Sequence, residues 1–453
     1  MADNPITGKL VLNGRIEAVS ALHIGSGQAD NSDMDILRNQ AGEPYIPATS
    51  FVGVLRHVFD KESLPGFNRF WGAMNGSDDQ QSSLVSADLV PENSTVVVRR
   101  DGVRLNNNTG LAKDAGKFDY EILEPGTCFT LCLEVTLRRD RQESFRFFSS
   151  IYDLLDQDRI RLGGRTGNGL GRIRLLTEQT KIFLFDFKQY DHVRAWLKQD
   201  FSATNQIDRK TLGSGFDLKK KICRIRANMV LKSSLLVRSY GHTPEAPDTV
   251  QLQSGKNWLI PGTSIKGAVR ARAERIVNTL ELTDKNRFMD NLFGYVREKV
   301  TKKEGASRGP DRKKSRVQVE DVVLDRKEFT AELQSRIRID RFTGGVINGA
   351  LFDSMPVFAP EQEQTVTFNF TIREYSKAEI GLFLLILKDL WTGDLPIGGE
   401  KNIGRGVFQG KEAEIIWDGG RVIFHDPAEI DPDDLDKLNG FVETLVALKN
   451  GGS

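Results

Sequence analysis

Three aspartates, Asp30, Asp33 and Asp35, crowd one polar loop, and a single aspartate, Asp248, occupies the corresponding place 215 residues after Asp33. Leu37 and Leu252 follow these two at +4 and support the pairing. A carboxylate so placed can handle a proton or a hydrated divalent ion during phosphodiester cleavage. Aspartate is equally a turn former, and residue type alone leaves both roles open. The five histidines, His23, His57, His192, His242 and His425, do not recur between the two regions. They do not suggest a duplicated general base, and His242, close to Asp248, is the one of interest.

Each acidic loop leads into the same unit. Residues 46–56, IPATSFVGVLR, return at 260–270 as IPGTSIKGAVR, a constant offset of 214 with six of eleven positions identical. The pattern predicts helices over 50–59 and 264–280, with Ser50 and Ser264 as N-caps. Free N–H groups and the positive dipole end make a helix start an anion site. Arg56, Lys266 and Arg270 fall in its first two turns, so the unit is a candidate for gripping backbone phosphates. An ordinary capped helix with solvated cations has the same sequence signature.

Two glycine clusters close the repeat, GGRTGNGLG at 163–171 and GGEKNIGRG at 398–406, at an offset of 235. Gly163, Gly164, Gly169 and Gly171 match Gly398, Gly399, Gly404 and Gly406, with Arg165, Lys401 and Arg405 as interspersed cations. Glycines permit positive φ and close backbone approach to a ligand. A Gly-Lys-Ser/Thr ending is absent, so this is no P-loop. Nor does the run open a helix after a strand, which argues against a dinucleotide fingerprint. A phosphate-hugging loop and a simple turn both remain open.

These residues need elements to position them, and the repeat supplies those twice. Thr109-Gly110 and Thr343-Gly344 form a third anchor at an offset of 234. The drift implies an insertion in the second copy, placed in the basic stretch 296–316. Copy one is expected over 8–200, a linker over 201–221, copy two over 222–417 and a tail over 418–453. Alternating apolar stretches at 9–24 and 224–237 read as strands. Strands at 127–137 and 365–372, helices at 143–155 and 377–391, and strands at 172–176 and 407–416 complete each copy. Strand, helix, two strands, helix, strand predicts an α+β chain of two tandem ferredoxin-like, RRM-like βαββαβ domains.

Composition narrows the class. With 63 Lys+Arg against 62 Asp+Glu, the net charge of +1 does not suit a free, strongly basic nucleic-acid binder. It predicts segregated charge, with a basic groove and acidic contacts to neighbours. Cys128, Cys132 and Cys223 contain no CxxC pair and read as small core residues of a reducing compartment. No apolar stretch suits a signal sequence or a membrane span, so the expectation is a soluble, cytoplasmic protein without a membrane partner.

The chain resembles a double-RAMP backbone subunit of a type III CRISPR RNA-guided effector complex. The resemblance rests on His23-Ile24-Gly25-Ser26-Gly27 with Asp33, on Tyr45-Ile46-Pro47, on the segment 260–267 and on the two glycine clusters. Copy one departs from the pattern, with Ala48 for glycine and Val52 for lysine. The resemblance implies RAMP domains that hold a CRISPR guide RNA through their helix starts and glycine loops. It also implies inserted thumb β-hairpins around 106–119 and 343–352, including Thr109, Gly110, Leu111, Thr343, Gly344, Val346 and Ile347. By the same resemblance Asp33 and Asp248 are the catalytic residues. They would support target-RNA cleavage beside a splayed nucleotide, with weakly bound Mg²⁺ or Mn²⁺ and no cage of protein metal ligands. Splaying brings a 2′-OH in line with its own phosphate, so positioning supplies much of the rate. The implied partners are guide RNA, target RNA, other RAMP subunits and the large and small subunits of the complex. Two alternatives stand beside this: a non-catalytic guide-binding scaffold, and a guide-processing RAMP endoribonuclease.

Overall fold

Alternation, broken by buried Val11 and Val230, sets the opening strand of each repeat. Gly8–Ala18 buries Leu10, Leu12, Ile16 and Ala18 on one face, and Ile222–Leu231 buries Cys223, Ile225, Ala227 and Met229 in the same manner. These strands belong to a computed structural model that describes residues 5–27, 29–60, 64–73, 80–92, 94–106, 109–218, 221–240, 246–297, 311–360 and 364–450. The chain divides into two compact units, Met1–Thr166 with Leu170–Lys219, and Gly167–Gly169 with Lys220–Ser453.

In the first unit the sheet order is Leu84–Ser86, Cys128–Leu137, Gly8–Ala18, Lys181–Asp186 and Gln206–Ile207, with Ile173–Leu175 also paired to the opening strand. In the second it is Val317–Val319, Thr365–Arg373, Ile222–Leu231, Phe408–Trp417 and Gly420–Phe424. Both orders begin second, third, first and continue with two later strands, and every pairing within these two sheets is antiparallel. Helices Ala48–Phe59 and Arg141–Asp156 seal the first core through Phe51, Leu55, Phe59, Phe147 and Leu154. Gly262–Thr279 and Lys377–Trp391 seal the second through Ile265, Val269, Phe383 and Leu390. This mixed α/β arrangement is consistent with a ferredoxin-like fold in each unit.

Several expectations need correction. The predicted caps Ser50 and Ser264 lie inside the first helical turn. The helices begin two residues earlier, after Pro47 and Pro261, and neither has a side-chain cap from those N-cap residues. Proline fixes φ and removes a donor, so the Ile-Pro step itself marks the boundary. By contrast Ser376 does cap its helix, in a reciprocal capping box with Glu379. The 201–221 stretch is not a free connector, because Leu212 and Leu218 are buried in the first core. The tail is not an appendage either. Its helix Pro432–Ala447 buries Leu438, Phe441 and Leu445 in the second core, and it crosses Lys377–Trp391 where Gly381 leaves no room for a side chain. Of the cysteines, Cys223 is buried but Cys132 is exposed. The predicted insertion starts as a short ladder, Tyr295–Arg297 against Asp311–Lys313, and its residues 298–310 lie outside the described residues.

The glycine clusters are explained by close approach within each unit. Gly164 donates to the His23 carbonyl at 2.8 Å and Gly171 to that of Ala21 at 2.8 Å. Their counterparts Gly399 and Gly406 donate to Leu236 and Ser234, both at 2.7 Å. A Cβ at Gly163, Gly171, Gly398 or Gly406 would run into a backbone carbonyl of the same unit, and all four have positive φ. Gly404 also has positive φ but faces open space. Gly404→Ala is therefore expected to cost only the left-handed strain of about 1 kcal/mol. Gly406→Ala adds a clash with the Ile397 carbonyl and should cost at least twice that, as read from the denaturant unfolding of the chain.

Candidate functional site

A β-hairpin is inserted before the third sheet strand of each unit. The first pairs Val97–Leu105 with Ala112–Leu123, and the second pairs Gln334–Ile339 with Val346–Met355. The two hairpins turn in the same way. Asn106 and Asp340 each accept from a glycine four residues on, Gly110 and Gly344, both at φ 69°. The positive φ explains why Thr109-Gly110 and Thr343-Gly344 recur. The hairpins carry apolar side chains into solvent: Leu111 is 69% exposed, Phe342 is 99% exposed, and Val346, Leu351, Leu105 and Val103 are all exposed. Ile347 is half-buried. Residues 107–108 of the first turn lie outside the described residues.

The two predicted aspartates sit at the bases of these hairpins. Asp33 is exposed and its Oδ2 accepts from the main-chain N–H of Asp119 at 2.9 Å. Asp248 is exposed and its Oδ2 accepts from the main-chain N–H of Asp353 at 3.0 Å. Asp119 and Asp353 are 234 residues apart, the spacing of the Thr-Gly turns, so the structure pairs Asp33 with Asp248 independently of the loop alignment. In the first unit the bond is reciprocal, since the Asp33 N–H donates to Asp119 Oδ1 at 2.8 Å. Arg99 lies 3.5 Å from the other Asp119 oxygen. The hairpin carboxylates were missed in the sequence because nothing local marks them, although the shared offset could have found them.

The acidic loop of the first unit is organised around Asp35. Its carboxylate accepts from the N–H groups of Asp30, Asn31 and Ser32 and from the Ser32 hydroxyl. These bonds, led by that of Asn31, hold its carboxyl at about 2 rather than the ordinary 3.8. Asp35 is thus buried and structural, while Asp33 faces solvent. Glu121 fixes the far side of the loop. It receives Arg38 at 2.8 and 2.9 Å and the Ile36 N–H at 3.1 Å, and the Arg38 guanidinium keeps its carboxyl below the usual range. His23 Nδ1 lies 2.8 Å from the Glu121 carbonyl, so that nitrogen carries the proton of a neutral ring. Burial pushes its pKa down, and its counterpart in the second unit is Leu236, which makes it a packing residue. His242 lies outside the described residues.

The helix starts turn out to be occupied by the chain itself. Asp88 accepts from the Ala48 N–H and Asp321 from the Gly262 N–H, both at 2.7 Å. These equivalent carboxylates complement the helix dipole from a distant loop. The expectation that Ser50 and Ser264 mark an open phosphate cradle therefore needs revision. Lys266 is also engaged, donating to the carbonyls of Gly167 at 3.0 Å and Val317 at 2.9 Å. Burial, then the charges of Arg270 and Lys314, push its ammonium down to about 7. Arg270 pairs with Glu274 along its own helix, and Arg56 is exposed beside Phe67. Asp321 also lies where a side chain at Gly169 would go.

The cations of the glycine clusters have separate fates. Arg165 stacks over Phe118 and Tyr120 at the first hairpin base. Arg405, only 2% exposed, binds Glu400, Ser234 and Gln334, so it pins the second hairpin instead of reaching out. Burial opposes ionisation of Glu400, but Arg336, Arg405 and Arg238 outweigh it and hold the carboxyl below its usual range. Lys401 is exposed next to Gly404. Among the described residues no group of three or more His, Cys, Asp or Glu side chains is placed to hold a metal ion, and no helix is long and apolar enough to cross a membrane.

A RAMP-superfamily model matches residues 15–174 and 228–409, one stretch in each unit and well over half of the chain. The chain belongs to the RAMP superfamily. The separate matches make it a tandem RAMP protein, with the hairpins and both aspartates inside the matched stretches. Comparison with curated proteins gives no match.

The Asp35 shift has a testable sign. A carboxyl whose folded pKa lies below its unfolded value stabilises above the unfolded value, and that contribution is lost as pH falls through the folded one. For this RAMP protein the window is from about 4 to about 2. Asp35→Asn should flatten that part of the stability-against-pH curve relative to wild type, measured by denaturant unfolding at stepped pH.

Proposed function

We propose that this tandem RAMP protein is a backbone subunit of a type III CRISPR effector complex that binds guide RNA and cuts complementary target RNA once per unit. The observation that carries this reading is the twofold occurrence of one arrangement. In each unit a solvent-facing aspartate, Asp33 or Asp248, is tied to the base of a hairpin whose apolar side chains face water. Under this reading each unit is a βαββαβ palm and each hairpin is a thumb.

The roles follow from exposure and chemistry. Leu111 and Phe342 are wedges suited to unstacking a nucleotide between guide and target. Arg56, Lys401 and the open backbone at Gly404 are the retained candidates for phosphate contact, since Lys266 and Arg405 are engaged within the fold. Asp33 and Asp248 accept or relay a proton beside the displaced nucleotide, where a strained backbone offers its own 2′-OH as nucleophile. One or two hard carboxylates per centre fit a largely hydrated Mg²⁺ or Mn²⁺ better than a protein-built cage. Asp33 and Asp248 would hold the ion, which supplies charge neutralisation at the phosphate when bound. A second reading, a non-catalytic scaffold, draws on the absence of a three-ligand group among the described residues.

Cleavage of a complementary target by the assembled, guide-loaded complex separates the two. Asp33→Ala and Asp248→Ala should each abolish one cut, by about 100-fold or more, with target binding unchanged. Chelation of divalent ions should remove both cuts. A double variant that still cuts at both positions leaves only the scaffold.

A further inference from the structure

The two acid centres are built alike in their main chain but not in their side chains. In both units a hairpin N–H holds the acid's Oδ2, Asp119 for Asp33 and Asp353 for Asp248. Only in the first unit does the hairpin carboxylate answer, taking the Asp33 N–H on Oδ1 at 2.8 Å while Arg99 stands 3.5 Å from its other oxygen. In the second unit Asp353 Oδ1 is buried without a hydrogen-bond partner among the described residues. The hairpin residue thus grips its loop acid at two points in one unit and at one point in the other.

Each grip has a different dependence on the side chain. The second-unit bond uses only the main chain of residue 353, so any residue that keeps the strand keeps the bond. The first-unit pair closes a ring through two main-chain N–H groups and two carboxylates, fixing both the position and the rotation of Asp33. A hydrogen bond to a charged acceptor contributes more than a neutral one, and a catalytic group loses rate steeply when displaced by about 1 Å.

We propose that Asp119 is a positioning residue for the first cleavage centre alone, setting the orientation of Asp33 through the Asp33 N–H, and that the side chain of Asp353 has no such role in the second. This inference rests on the reading of Asp33 and Asp248 as the cleavage acids. It couples the first hairpin to its acid more tightly than the second.

The test uses the guide-loaded complex with a complementary target and follows the two cuts separately under single-turnover conditions. Asp119→Ala should slow the first cut about 10-fold or more, leave the second cut unchanged and leave target affinity within about twofold. Asp119→Asn retains an acceptor for the Asp33 N–H and should restore most of the lost rate. Asp353→Ala should leave the second cut within about threefold of wild type. Hydrogen exchange on the full chain should show faster exchange over 29–35 in Asp119→Ala, independently of cleavage. If Asp33→Ala removes the first cut while Asp119→Ala does not slow it, positioning by Asp119 is overturned and the catalytic reading survives. If Asp119→Asn is as slow as Asp119→Ala, the charge and not the acceptor matters, which also overturns it. If Asp33→Ala leaves both cuts intact, the catalytic reading itself fails and this inference falls with it.

Discussion

The geometry of each unit depends on a backbone-to-backbone contact that only glycine allows. After the opening strand the chain must leave the sheet and enter the loop that carries the acid. In both units a glycine cluster takes hold of that exit, through Gly164 and Gly171 on His23 and Ala21, and through Gly399 and Gly406 on Leu236 and Ser234. Side chains at Gly163, Gly171, Gly398 and Gly406 of the same clusters would collide with carbonyls, so the main chains meet directly. The acidic loop starts from this fixed point and is then tied to the hairpin base at its other end.

On that shared backbone the two copies have diverged in chemistry. Arg165 and Glu400 occupy equivalent positions with nearly the same left-handed φ, 55° and 53°. Arg165 stacks on aromatic rings, while Glu400 gathers three arginines. One step further into the cluster, buried Leu170 packs with Tyr120 and Ile122, whereas its counterpart Arg405 is buried in a polar network. An apolar patch and an ion network thus support equivalent hairpins, and in the second case every strong donor needs its partner in place.

Much of this was legible in the sequence. The offsets 214, 234 and 235 located the helices, the hairpin turns and the glycine clusters, because each depends on local chemistry: proline at a helix start, glycine at positive φ, alternation in a strand. The pairing of Asp33 with Asp248 was legible for the same reason. What stayed hidden depends on distant partners. The helix-start carboxylates come from 40 and 59 residues away, and the hairpin aspartates act across 86 and 105. Lys266 looked free for a phosphate, yet carbonyls from remote segments hold it. Glycine runs are ambiguous by nature, since closeness to a ligand and closeness to one's own strand make the same demand on φ. The serines of the Ile-Pro unit were misassigned because the proline, not the hydroxyl, sets where the helix begins.

The last long helix carries a consequence for how the chain is made. Among the described residues the first core draws on nothing later than Leu218, whereas the second includes Leu438, Phe441 and Leu445. As the polypeptide leaves the ribosome, the leading half has all its interior residues while its twin is still being translated. The trailing half must wait, with the Gly381 side of Lys377–Trp391 uncovered, until the closing segment has emerged. Twin modules therefore mature on different schedules, and the later one has the longer interval in which exposed apolar surface invites chaperones.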